Sequence, residues 1–145
     1  MPLRAPTHPR LRNVRAAWVL VAASALAVAA EAEEPRLRAS MDCRSEPGSG
    51  RLLCTVALAA SPGLALGWSD ALVVSSPPSV QPLRARVTSA SAEPQRIVVG
   101  FVLGSGPGGP IEVMARAVTC PVAGRAGACR PSSARVAFQW DPPAA

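Results

Sequence analysis

The stretch 36-RLRASMDCRSEPGSGRLLCTVALAA-60 decides the fold. Its first eight residues alternate without a break. Leu37, Ala39, Met41 and Cys43 fall on one face, and Arg36, Arg38, Ser40 and Asp42 on the other. Such a period of two marks a half-buried strand. The Pro-Gly-Ser-Gly run then makes a turn, and a second strand begins at Arg51. If Pro47 to Gly50 form the loop, Glu46 faces Arg51, an opposite-charge pair. Cys43 then faces Cys54, Met41 faces Val56, Ala39 faces Leu58 and Leu37 faces Ala60. Those four apolar pairs share a face, and a slip of one residue would destroy them together.

Working outward, the remaining segments are fainter but of the same kind. Strands are expected at 68–76, 83–89, 96–103, 111–119 and 135–140, and PPSVQP separates the first two of these as a rigid crossover. The run RIVVGFVL at 96–103 is apolar on both faces, as in a central strand, and GSGPGGP at 104–110 is a loop. The latter lacks the Lys-Ser/Thr ending of a phosphate loop. No helical period appears beyond the first thirty or so residues. About seven short strands in roughly 110 residues predict an all-β fold, a single immunoglobulin-like β-sandwich. A small barrel of similar strand count is the alternative.

The segment before residue 33 has a different character. Arg4, Arg10, Arg12 and Arg15 precede the uncharged run from Ala16 to Ala30, which ends in small residues before EAEEP. A basic head, an apolar middle and a small-residue end are the parts of a secretory signal peptide, here 1–32 with cleavage near 29–32. As a retained anchor the fifteen-residue run would reach about 22 Å, short of the roughly 30 Å hydrocarbon core. The expected product is therefore one domain, 33–145, in the periplasm or secreted, with a membrane-anchored chain as the runner-up. Removing the four leader arginines lowers the formal charge from +6 to +2, so nucleic-acid binding is not expected. Arginine without lysine, with abundant Ala, Pro and Gly, resembles the codon bias of a GC-rich bacterial genome.

Export also assigns the cysteines. An even count in a small exported domain is a disulfide framework, whereas a zinc site favours C-x-x-C spacings with histidines. Here the intervals are wide, and the one histidine, His8, lies in the leader. Cys43 pairs with Cys54 in the first hairpin. Placing Cys120 opposite Cys129 sets Ile111 against Phe138, Val113 against Val136 and Ala115 against Ala134. That register turns the first cysteine pair inward and the second toward solvent or the loop. A rival pairing joins Cys54 to Cys120, whose spacing around Trp68 resembles the Cys–Trp–Cys pattern of immunoglobulin domains. Val118 standing in place of a tyrosine corner weakens that rival.

After the leader there is no His, Lys, Tyr or Asn. Histidine-activated nucleophiles, Schiff-base lysines and histidine metal sites are thereby removed, and no catalytic residue, metal or cofactor is expected. Asp42, Glu46, Asp70, Glu93, Glu112 and Asp141 remain as general bases besides the acidic start, which leaves a carboxylate-only enzyme as a distant alternative. The candidate binding residues are Arg125 and Arg130 on the Cys120–Cys129 loop, with Trp68 and Asp70 beside each other in Gly-Trp-Ser-Asp. For Trp68 core packing is the more common role, and for Asp70 a turn or strand end. The functional expectation is a non-enzymatic binding or structural accessory module of the cell exterior, its partner an unidentified protein or envelope component. A small hydrolase inhibitor presenting the stapled loop is the second reading.

Overall fold

The computed structural model describes residues 35–144, so the leader expected over 1–32 lies outside the described residues. The chain is all-β there. Eight strands run in the order β1 (Leu37–Glu46), β2 (Arg51–Ala60), β3 (Leu64–Ser75), β4 (Val80–Pro82), β5 (Arg86–Thr88), β6 (Arg96–Leu103), β7 (Gly109–Pro121) and β8 (Arg130–Trp140). They form two four-stranded antiparallel sheets, β1-β2-β6-β4 and β5-β3-β7-β8.

The opening hairpin has the register its alternation predicts, from Leu37 opposite Ala60 through Cys43 opposite Cys54 to Glu46 opposite Arg51. Glu46 itself accepts a hydrogen bond from the Ser49 hydroxyl at 3.2 Å, so the charge pair is a matter of register and the acid serves the turn. The β7–β8 hairpin likewise sets Ile111 against Phe138, Val113 against Val136 and Ala115 against Ala134.

Two expectations needed correction between residues 76 and 89. PPSVQP is not only a crossover, because Val80–Pro82 forms β4 at the edge of the first sheet, against β6. An edge strand tolerates proline because one row of its backbone groups needs no partner. The burial of Val80, fully covered, supplies the reason for pairing there. The single strand expected at 83–89 is split between the sheets. Leu83 N donates to Gly100 O of β6 at 2.9 Å, whereas Val73 N of β3 donates to Ala85 O at 2.8 Å. Arg84 alone separates the residue bonded to one sheet from the residue bonded to the other, leaving β5 only three residues long.

The core lies between the sheets. Leu52, Val56, Ile97, Val99 and Phe101 come from the first and Ile111, Val113, Ala115 and Ala117 from the second. Apolar burial of about 25 cal/mol per Å² makes this layer the main favourable term. Cys54 is fully buried within it, and Cys43 packs at its margin. Each cysteine pair closes its own hairpin, Cys43–Cys54 with Cα atoms 4.0 Å apart and Cys120–Cys129 with 4.1 Å. The inter-sheet rival pairing is therefore absent, and both bridges fit an oxidising compartment. Among the described residues, no helix is long and apolar enough to cross a membrane.

Candidate functional site

A single irregularity in β3 builds the main site. Against β7, Leu66 pairs with Thr119 but Trp68 pairs with Val118, so Gly67 is an extra residue in the ladder. Such a bulge advances the side-chain alternation by one. Leu64 and Leu66 would otherwise carry Trp68 and Asp70 inward with them. Instead Ser69, Ala71 and Val73 turn to the core, and Trp68 and Asp70 turn to the outer face of the second sheet. The expected core role of Trp68 is therefore overturned, since the residue is 40 % exposed. Asp70 stands inside the strand, not at its end.

Asp70 is completely buried although it points outward, because two arginines lie over it. Arg116 of β7, directly opposite in register, donates from Nε to Oδ1 at 2.8 Å and from Nη2 to Oδ2. Arg86 of β5 donates from Nε to Oδ2 at 2.6 Å. The fork geometry of Arg116 is the strong, orienting form of a charge-assisted pair. Burial pushes the Asp70 carboxyl toward the neutral form, but the hydrogen bonds and charges of Arg116 and then Arg86 outweigh it. The net result is a pKa below the ordinary 3.8. Arg116 is correspondingly raised, chiefly by its hydrogen bond to Asp70.

The arginines keep their outer surfaces in water, Arg86 54 % and Arg116 39 % exposed. The Arg86 guanidinium carbon stands 5.8 Å from the centre of the Trp68 ring, within range of a cation–π attraction. Val118, Pro131 and Ser133 complete an open groove of about 560 Å³ beside the tryptophan. All of these residues sit on a hydrogen-bonded sheet, so the surface is rigid before any ligand arrives. Chemically it offers an apolar plate flanked by two guanidinium faces, with the one carboxylate already committed to holding them.

Arg125 and Arg130, the other expected pair, lie elsewhere. They line a second, smaller cavity of about 280 Å³ at the end of the sandwich, together with Arg36 and the Pro62-Gly63 turn. Trp68 and Asp70 are thus brought together, as are Arg125 and Arg130, but the two pairs do not share a site. Arg86, Arg116 and Arg36 were not singled out from sequence. Only the register signal at Arg116, had the bulge been placed, could have found one of them. Among the described residues, no group of three or more His, Cys, Asp or Glu is placed to hold a metal ion. No family model, curated protein or solved structure matches this chain.

Proposed function

We propose that the protein is an exported, non-enzymatic binding module of the periplasm or cell exterior, and that it recognises a protein or envelope component through the Trp68 groove. The observation that carries this reading is an exposed tryptophan on a rigid sheet with Arg86 and Arg116 fixed at its side. Tryptophan and arginine are the residues that most often dominate recognition energy, and pre-positioning them reduces the ordering cost of binding. Export rests on the basic-then-apolar leader, 1–32, and on the two disulfides. An immunoglobulin-like lineage is part of the proposal. It is supported by the order β1-β2-β6 in one sheet and β3-β7-β8 in the other, which follows the A-B-E and C-F-G strands of that fold.

The inhibitor reading has less in its favour. Arg125 folds back on Gly63, where an added Cβ would meet its Nη1 at 2.8 Å, so the loop does not hold that arginine out to a partner. Asp70, locked by two arginines, is an ion-pair strut and poorly suited to proton transfer. The test is capture from envelope extract by the immobilised oxidised protein, with crosslinking from a photoreactive residue at Ser133. A partner retained by the native protein and by Arg135→Ala, but lost by Trp68→Ala, is expected. Equal capture by Trp68→Ala would refute the assignment of the groove, and N-terminal sequencing of recovered protein tests the leader separately.

A further inference from the structure

Among the described residues, the cavity at the end of the sandwich is lined by three arginines and no acid. Arg36, Arg125 and Arg130 line it with Pro62, Gly63, Leu64, Pro121 and the small residues 126–128. Among the described residues, none of the three makes an ion pair with a carboxylate. Three like charges around one concavity repel each other unless an anion joins them, and a planar guanidinium fork matches an oxyanion in two-pronged fashion.

The cavity is also built, not incidental. Arg36 is anchored by Nε donating to Thr119 Oγ1 at 3.0 Å and Nη2 donating to Thr119 O at 3.3 Å. Those two bonds use Nε–H and one Nη2 hydrogen of its five guanidinium donors. Arg130 is set by its ladder position opposite Thr119, and its carbonyl accepts from the Thr119 hydroxyl at 3.3 Å. Arg125 lies over Gly63, whose φ of +84° and missing side chain give it room. Val122 N donates to Gly63 O at 3.0 Å and Arg125 N to Val122 O at 3.1 Å, so the stapled loop is tied to the β2–β3 turn. The Cys120–Cys129 bridge closes the loop behind them.

We infer that this cavity is a binding site for a multiply charged oxyanion, a phosphate or sulfate group that is either free or carried as an ester on a small molecule. It is separate from the Trp68 groove and does not rest on the function proposed there. Arg36, held by Thr119, together with Arg125 and Arg130 would bind the oxygens by charge-assisted hydrogen bonds, the stronger class of such bonds.

The test is a titration of the oxidised protein at constant ionic strength, followed by NMR of the arginine Nε–H groups. Inorganic phosphate, inorganic sulfate and glycerol phosphate are the three probes. Saturable binding is expected, with shifts centred on Arg36, Arg125 and Arg130. Arg125→Ala and Arg130→Ala should each weaken it about tenfold or more, while Arg135→Ala on the outer face leaves it within about twofold. Arg125→Lys, which keeps the charge without the fork, should fall between. Unchanged melting of the variants separates lost contacts from lost folding. Tighter binding of the ester assigns an ester-borne group, and equal binding assigns the free ion. Linear, non-saturating shifts, or an equal effect of Arg135→Ala, would overturn the inference.

Discussion

Asp70 ties Arg86 and Arg116 into one unit, so removing any of the three alters the other two. Arg116 supplies two of the hydrogen bonds and Arg86 one. Arg116→Ala should therefore destabilise more than Arg86→Ala, an order that urea midpoints would reveal. Asp70→Asn should cost about 2 kcal/mol, the scale of a lost charge-assisted hydrogen bond, because both arginines are partly exposed and regain water. The pH dependence follows from the lowered Asp70 pKa. Its contribution is complete above the unfolded-state value of about 3.9 and is lost as pH falls through the folded-state value. Between pH 5 and 2 the native protein should lose stability more steeply than Asp70→Asn. Parallel loss would show that the carboxylate is not a strut. None of this was legible locally, since the partners of Asp70 lie 16 and 46 residues away, and no pattern of period two or 3.6 links them.

At the scale of elements, the two hairpins could be read from sequence and the bulge could not. Alternation from Leu37 to Cys43, closed by Glu46 and Arg51, determined the β1–β2 register because a slip reverses every side chain at once. Leu64, Leu66 and Trp68 have the same alternating look, yet the extra Gly67 divides them. A glycine in a strand hints at a bulge but does not say on which side the alternation resumes. Deleting Gly67 should turn Trp68 and Asp70 toward the core and abolish cooperative melting. Gly67→Ala should change stability by less than about 1 kcal/mol, since an added Cβ would meet Val118 O at 3.7 Å and Cys120 Sγ at 4.0 Å. Calorimetry of the two variants makes the comparison. Removing the Cys43–Cys54 bridge by paired alanines should cost about 2.7 kcal/mol from chain entropy, plus the cavity left at the fully buried Cys54. In the second bridge Cys120 is only half-buried and Cys129 is exposed, so the cavity loss is smaller and so should be its thermal shift.

Across the whole molecule, the all-β class and the sandwich followed from strand spacing, whereas the partition of strands between sheets did not. The segment from Val80 to Thr88 changes sheets within a few residues because Val80 fills the core on one side and β5 pairs on the other. That choice depends on contacts across the core that no local window contains. The core itself makes a plain prediction. Phe101→Ala, removing a fully buried ring, should cost about 3–5 kcal/mol, a large part of a typical margin of about 5–15 kcal/mol. Denaturant unfolding would measure it.

The two bridges join the first cysteine to the second and the third to the fourth, 11 and 9 residues apart. A chain oxidised in order of synthesis meets each native partner before the next thiol appears. Correct pairing is then the default product of first encounter. Maturation of this protein should proceed at normal yield where a thiol oxidant is present but a disulfide-shuffling catalyst is not.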